Sequence, residues 1–153
     1  MAKPMIYWFI GQPGAGKTTL ALALQSALQG HGQPVVHLDG EFMREVTDNQ
    51  DFTEPGRIRN ILAGQRLAAK LHADGITVVA SFVSPYRALR EEFKRTGAVV
   101  EIYVHTTEIR GKEARFATGF EPPLSGFVDM DTTNIPVASC IARILQEGAS
   151  AHS

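Results

Sequence analysis

One stretch near the start of the chain, Phe9–Leu24, constrains the fold more than any other. It reads FIGQPGAGKTTLALAL, so an apolar run breaks into glycines and then continues with helical periodicity. The spacing of Gly11, Gly16, Lys17 and Thr18 matches a phosphate-binding loop (P-loop) between a strand and a helix. Glycines let backbone N–H groups approach an anion closely, and the following helix adds its positive end.

The flanks of this loop distinguish nucleotide binding from a simple glycine-rich turn. MIYWFI before the loop predicts a buried strand, and TTLALALQSALQ after it predicts a helix. We therefore predict that Lys17, a candidate catalytic residue, reaches the β- and γ-phosphates and that the Thr18 hydroxyl is a ligand of Mg²⁺. The predicted nucleotide-binding residues of the loop are Gly11, Gln12, Pro13, Gly14, Ala15, Gly16, Lys17, Thr18 and Thr19.

Composition limits the classes of protein that fit. The 153 residues are 44% hydrophobic, which is enough for a core, and we predict a single domain over residues 1–153. The formal net charge of −1 gives no indication of a nucleic-acid or anionic-membrane partner. No apolar run approaches the roughly 20 residues of a membrane span. The lone Cys140 and the lack of a signal-peptide pattern favour a cytoplasmic protein.

Predicted strands and helices alternate along the chain. After a first helix that ends near Gly30, PVVHL predicts a strand ending at Asp39, and a polar segment follows. A helix is expected from about Glu54 to Ala73 with Thr53 as its N-cap. ITVVASF, AVVEIYV and FVDM predict further strands, and IPVASCIARILQEG predicts a closing helix. This alternation predicts an α/β, three-layer P-loop fold with a parallel sheet of about five strands.

Among P-loop proteins, the sequence favours a small-molecule kinase that uses ATP and Mg²⁺. It lacks the Asn-Lys-x-Asp signature of GTPases, and its third strand ends in serines where motor ATPases carry an acidic residue. Asp39 and Glu41, in HLDGEFMR, are placed to face the phosphate loop and an acceptor hydroxyl. The alternative is a solvated acidic turn around Gly40.

Four blocks of the sequence resemble, in order and spacing, those of adenylylsulfate (APS) kinases. They are GQPGAGKTTLA, LDGEFMR, DFTEPGRIRNI and VVASFVSPYR. The family reads approximately Leu-Asp-Gly-Asp-x-x-Arg, Gly-Phe-x-x-x-x-Arg-x-x-Asn-Ile and Ser-Phe-Ile-Ser-Pro in the last three. The match covers about residues 5–95 and, more loosely, EIYVHT and FEPPLSGFVDMDTT. The resemblance implies phosphorylation of the 3′-hydroxyl of APS by MgATP, which produces PAPS.

The resemblance also implies roles for individual residues. Asp39 is implied to be a catalytic carboxylate that orients the acceptor hydroxyl and is a metal ligand together with Thr18. Arg44 and Arg57 are implied to bind anionic groups, and Phe52 to stack on the acceptor base. Surface salt bridges for the arginines, and packing of Phe52 on the following helix, remain alternatives. The implied acceptor-binding set is Asp39, Glu41, Arg44, Phe52, Arg57, Asn60, Phe82, Val83 and Ser84.

Ser84 matches a family serine that is described as a phosphoserine intermediate, which makes it a third candidate catalytic residue. Serine before proline is also an ordinary helix N-cap, with Pro85 as the first helical residue. No adjacent base is evident, so we expect Ser84 to line the acceptor site with its backbone and hydroxyl and not to react covalently.

The largest departure from the family follows the fourth strand. The family carries a long lid with a Lys-Gly-Leu-Tyr run, and this chain has only TTEIRGKEARFATGFEPP. Arg110, Lys112 and Arg115 are basic and placed to cover phosphates, and Arg110 and Arg115 are predicted to bind ATP. Glu41 replaces an aspartate, Asp51 a glycine and Arg59 a glutamate.

Three hypotheses follow for the function. The first is an APS kinase with a shortened lid, and the second is a related kinase for another anionic nucleotide acceptor such as cytidine diphosphoramidate. The third is a nucleotide-binding regulatory module without turnover, which the joint presence of Lys17, Thr18, Asp39, Arg44 and Arg57 disfavours. The predicted partner is therefore a small-molecule nucleotide, and a homodimer is left open.

Overall fold

The computed structural model describes the backbone of residues 3–151 and the side chains of residues 3–148. Residues 1–2 and 152–153, which belong to the predicted domain, lie outside the described residues. The strands are β1 (Ile6–Ile10), β2 (Val35–Asp39), β3 (Thr77–Ser81), β4 (Val99–His105) and β5 (Val128–Asp131). The helices are α1 (Lys17–Gly30), α2 (Gly40–Thr47), α3 (Glu54–Ala73), α4 (Arg87–Lys94) and α5 (Val137–Ala151).

The five strands form one parallel sheet in the order β2-β3-β1-β4-β5. All five residues of β1 are buried because this strand is central and covered on both faces. In a parallel sheet the carboxyl ends of the strands meet at one edge, which is where ligands bind in open α/β folds. The ends of β1, β2 and β3 therefore converge beside the P-loop.

Helices cover both faces of the sheet, as a three-layer fold requires. One apolar cluster joins alternate strand residues such as Phe9 and Ile102 to α1 and α5 and includes Cys140. The other joins the opposite side, including Trp8 and Val78, to residues of α2, α3 and α4. The predicted α/β fold with a parallel five-stranded sheet is confirmed.

Two local features differ from the sequence analysis. The polar segment after β2 contains the helix α2, in which Met43 is the only buried residue, so its pattern resembles that of a loop. The prediction that Ser84 caps the next helix is wrong, because α4 begins at Arg87 and Ser84 has a positive φ of 46°. Thr53 does precede α3, although its hydroxyl bonds to Asp51 instead of to the helix.

The described residues contain no helix that combines the length and the apolar character needed to cross a membrane.

Candidate active site

A cavity of about 850 Å³ lies at the carboxyl ends of the central strands. It joins the P-loop at one end to the acidic and basic residues after β2 at the other in one continuous space. Its lining residues that the sequence analysis named are Pro13, Gly14, Lys17, Thr18, Asp39, Glu41, Arg44, Phe52, Arg57, Asn60, Phe82, Val83, Ser84, Lys112 and Arg115.

Two of the three positive-φ glycines in the P-loop show how tightly its backbone is constrained. Gly11 has a φ of 148°, and a Cβ there would lie 2.2 Å from the carbonyl oxygen of Val104. Gly16 has a φ of 107° and occupies the N-cap position of α1. Both positions need conformations that other residues rarely adopt. The loop therefore passes tightly over β4 and delivers its backbone to the N-terminus of α1, where an anion is favoured.

Lys17 lies in the cavity with its charge poorly compensated. Its Nζ donates a hydrogen bond of 3.0 Å to the carbonyl oxygen of Gln12. Burial, and secondarily the nearby charge of Lys112, lowers the pKa of Lys17 to about 8. An anion beside Nζ would stabilise the charged form, because an opposite charge at close range favours ionisation.

Asp39 and Thr18, the two predicted metal ligands, line the same cavity. Asp39 is the N-cap of α2, since its Oδ1 accepts a hydrogen bond of 2.7 Å from the backbone N–H of Phe42. The described residues contain no cluster of three metal-ligating side chains. One carboxylate and one hydroxyl beside a phosphate site are nevertheless the donor set that suits Mg²⁺, which takes its other ligands from phosphates and water.

Arg44 and Phe52 form a unit at the other end of the cavity. The guanidinium carbon of Arg44 lies 4.0 Å from the centre of the Phe52 ring. Its Nη1 donates to the carbonyl oxygens of Asn49 and Asp51, each at 3.1 Å. Phe52 is 65% exposed, so one face of its ring remains free to stack on a flat ligand. Packing of Phe52 on α3 alone does not explain this exposure.

Arg57 places a second positive charge beside Arg44. Burial, followed by the charge of Arg57, lowers the pKa of Arg44. Within residues 3–148, the Arg57 guanidinium has no hydrogen-bond or ion-pair partner. Two neighbouring guanidinium groups that face one cavity make a site for an anion, since planar forks match phosphate and sulfate oxygens. The neighbouring Arg59 is different, because it forms an exposed salt bridge with Asp51.

Asn60 is the most deeply placed polar residue that α3 contributes to the cavity. The residue is 6% exposed, and its Nδ2 donates to the carbonyl oxygen of Gly40 at 3.2 Å. Its Oδ1 is buried and has no partner among the described residues. Buried polar atoms are nearly always paired in folded proteins, so this oxygen is suited to a hydroxyl or amino group of a ligand.

Ser84 presents its hydroxyl to the core. The residue is 2% exposed, and Oγ accepts a hydrogen bond of 3.0 Å from the indole Nε1 of Trp8. Its carbonyl oxygen accepts a bond of 2.8 Å from Arg90, which is itself paired with the buried Glu101. This geometry suits Ser84 as a fixed part of the cavity wall, and its predicted catalytic role gains no support from it.

The segment after β4, residues 106–123, is here called the lid segment. Lys112 and Arg115 line the cavity, whereas Arg110 lies behind the P-loop. The Nη1 of Arg110 donates to the carbonyl oxygens of Gly14 and Ala15, at 3.2 and 3.0 Å. Predicted P-loop residues that also do not line the cavity are Gly11, Gln12, Ala15, Gly16 and Thr19.

Sequence reasoning missed Ser81 and the side chain of Gln12. Ser81 lies opposite Asp39 in the register of β2 and β3, lines the cavity and forms a hydrogen bond of 2.9 Å with His37. The position of Ser81 at the end of a buried strand was an available signal. Gln12 pairs with Ala117, 105 residues away, and no local pattern indicates such a contact.

Comparison with known proteins places the chain in a family. The model of the adenylylsulphate kinase family matches residues 3–120. The chain belongs to the adenylylsulphate kinase family. A relative from Chloroflexus aurantiacus named adenylyl-sulfate kinase is 33% identical, and the alignment covers 92% of this chain and 87% of that protein. One from Synechococcus sp. with the same name is 31% identical, with 91% of each chain covered.

The fold has a close counterpart among solved structures. The structure of the Mycobacterium tuberculosis APS kinase CysC in complex with AMPPNP and APS matches with a TM-score of 0.82. The alignment covers 95% of this chain and 98% of that one, at 18% sequence identity. At this identity the likeness concerns the fold, and it agrees with the membership of the adenylylsulphate kinase family.

Proposed function

We propose that this chain transfers the γ-phosphoryl group of ATP to the 3′-hydroxyl of APS, which gives ADP and PAPS. The observation that carries the proposal is the continuous cavity that joins the P-loop to the Arg44–Phe52 unit and Arg57. One end suits a nucleoside triphosphate, and the other offers a ring face and two cations for a nucleotide with an anionic group. Family membership supports the same reaction.

Each residue has a role that follows from its position in the cavity. Backbone N–H groups of the P-loop and the ammonium of Lys17 hold the β- and γ-phosphates, and Lys17 stabilises charge that develops on the transferred group. Asp39 orients the acceptor hydroxyl and accepts its proton as the new O–P bond forms and the bond to ADP breaks. Mg²⁺, held by Thr18, Asp39 and the phosphates, would neutralise phosphate charge.

The residues at the acceptor end of the cavity orient APS. Arg44 and Arg57 bind the anionic oxygens of APS, Phe52 stacks on its adenine and the free Oδ1 of Asn60 accepts a hydrogen bond from it. Stacking tolerates every base, because each base offers a π-face, so Phe52 does not select adenine. We expect the shortened lid segment to discriminate poorly between acceptors, so that the chain phosphorylates other nucleotide acceptors as well as APS.

Three further predictions concern the domain count, the cellular location and the oligomeric state. A single domain, a cytoplasmic location and a homodimer remain predictions, and the buried lone Cys140 is compatible with a reducing compartment.

A turnover assay with an acceptor panel tests the proposal. The chain is incubated with MgATP and either APS or a cytidine-based acceptor, and products are identified by mass spectrometry. We expect a phosphorylated product from APS, and Lys17→Ala should lower the rate about 10²–10³-fold. Turnover of the cytidine-based acceptor alone would replace APS with another nucleotide substrate. Nucleotide binding without turnover of any acceptor would favour a regulatory module.

A further inference from the structure

The side chain of Gln12 leaves the phosphate site and contacts the lid segment. Its Oε1 accepts a hydrogen bond of 2.8 Å from the backbone N–H of Ala117, and its Nε2 donates one of 3.1 Å to the carbonyl oxygen of Ala117. The side-chain amide of Gln12 and the backbone N–H and carbonyl groups of Ala117 thus satisfy each other's hydrogen-bonding capacity. Paired bonds of this kind fix both the position and the direction of the chain at Ala117.

Ala117 is the buried point of an otherwise exposed stretch. Residues 111–116 are all exposed, whereas Ala117 is 8% exposed. The side chains in this stretch therefore make little contact with the apolar core. The local order of the stretch therefore depends on polar contacts, since segments with little burial open easily. Glu113 accepts hydrogen bonds from the backbone N–H groups of Arg110 and Gly111 inside the stretch, and the P-loop holds its ends.

Arg110 attaches the other end of the same stretch. Its guanidinium bonds to the carbonyl oxygens of the P-loop and to the hydroxyl and carbonyl oxygens of Thr132. Lys112 and Arg115, which both line the cavity, lie between these two attachments. The P-loop therefore holds both ends of the turn that carries Lys112 and Arg115.

We propose that Gln12 is a positioning residue that holds Lys112 and Arg115 over the nucleotide phosphates. This rests on the proposed function, because it requires ATP to occupy the P-loop. In this chain the P-loop then does more than bind phosphate with its backbone. Through one side chain it also orders the shortened lid segment that completes the phosphate site.

Hydrogen exchange of the Ala117 amide tests the contact itself. Gln12→Leu removes both hydrogen bonds at similar side-chain volume and leaves the P-loop backbone unchanged. We expect the Ala117 amide to exchange about five-fold faster or more, since a net hydrogen bond changes an equilibrium by about that factor. Exchange of the Leu24 amide in α1 should not change. Gln29→Leu, the same change at an exposed position of α1, is the matched control.

Affinity for a non-hydrolysable ATP analogue, measured without acceptor, tests the functional role. Gln12→Leu should weaken binding about ten-fold, and Lys112→Ala should weaken it in the parent chain. In the Gln12→Leu background, the effect of Lys112→Ala should be much smaller, because Lys112 is then no longer held over the phosphates. A merely structural role of Gln12 would not produce this coupling.

The outcomes separate this inference from the proposed function. An unchanged Ala117 exchange rate, unaltered affinity in Gln12→Leu or additive effects of the two substitutions would each overturn it. None of these measurements involves APS, so failure to phosphorylate APS affects only the proposed function. Absence of analogue binding by the parent chain would overturn both.

Discussion

Lys17 carries its charge in surroundings that disfavour it, and this predicts a pH dependence. Its pKa of about 8 lies below the ordinary value of 10.5, first because of burial and then because of Lys112. The charge therefore destabilises the folded state fully below pH 8, and this effect disappears as the pH rises toward 10.5. ATP favours the protonated form of Lys17, so the affinity for ATP should be level between pH 7 and 8 and fall as the pH rises further.

Calorimetry of ATP binding in metal-free buffer checks this prediction. Above pH 8 the heat should depend on the ionisation enthalpy of the buffer, because binding takes up a proton. Lys17→Met should bind ATP weakly at every pH and show no such dependence. An affinity of the parent chain that stays level between pH 7 and 10 would contradict the pKa assignment.

Arg57 and Arg59 offer a matched pair on one helix. Arg57 faces the cavity and has no hydrogen-bond or ion-pair partner among the described side chains, whereas Arg59 is exposed and paired with Asp51. Arg57→Ala should raise the KM for the anionic acceptor about 10- to 100-fold, as expected for a lost charge-assisted hydrogen bond, with little change in ATP affinity. Arg59→Ala should change both values less than about three-fold. Equal losses for both ligands in Arg57→Ala would remove its role at the acceptor.

For individual residues, the sequence predicts those roles that depend on residue type and on position in a motif. Lys17 and Asp39 face the cavity because the P-loop and the end of β2 dictate where they lie, whereas Arg57 lines it from the first turn of α3, where the family motif places an arginine. The contacts of the Gln12 and Arg110 side chains and of the Ser84 hydroxyl could not be predicted in the same way. Their partners Ala117, Thr132 and Trp8 are distant in the sequence, and only the packed fold brings them together.

Among the elements, the loop between α2 and α3 depends on a glycine. A Cβ at Gly56 would lie 2.1 Å from the carbonyl oxygen of Asp51 and 2.4 Å from its side chain. Asn49 also donates a 2.8 Å hydrogen bond to the Gly56 carbonyl oxygen, which fixes the loop against α3. Since Arg44 bonds to this loop and Phe52 belongs to it, Gly56 sets the shape of the acceptor end.

Gly56→Ala should therefore lower both stability and acceptor use. We expect a loss of about 1–3 kcal/mol in the free energy of unfolding, because the loop must move away from the new methyl group. The KM for the acceptor should rise while ATP affinity stays nearly constant. Gly30→Ala at the end of α1, where nothing lies within 4 Å, should be neutral or slightly stabilising. Chemical denaturation and steady-state kinetics measure both effects, and a neutral Gly56→Ala would contradict this account of the loop.

Strands and helices could be predicted from the sequence where their residues form clear apolar patterns. The strands and the long helix Glu54–Ala73 were predictable because near-continuous apolar runs and periodic apolar residues mark them. Helix α2 was not, because only Met43 of it is buried, although Asp39 as its N-cap was an available signal. The start of α4 was misplaced because Ser84 does not cap the helix: its φ is 46° and its hydroxyl accepts a hydrogen bond from Trp8.

For the whole molecule, the parallel sheet gathers the site and a buried ion pair secures one side of it. Arg90 pairs with Glu101 of β4 at 2.7 Å and donates to the carbonyl oxygens of Ser84 and Glu121. It thereby joins α4, β4, the loop after β3 and the end of the lid segment. Removal of one partner from such a pair destabilises strongly, so this network belongs to the scaffold of the site.

The position of the phosphate that the chain adds to APS tests directly whether it phosphorylates the 3′-hydroxyl of this acceptor. The chain is incubated with MgATP and APS, ADP is quantified, and the nucleotide product is analysed by ³¹P and ¹H NMR. We expect one ADP for each PAPS, with the new phosphate on the ribose 3′-hydroxyl. Nucleotide binding without any APS-dependent ADP, or phosphate at another position, would contradict it.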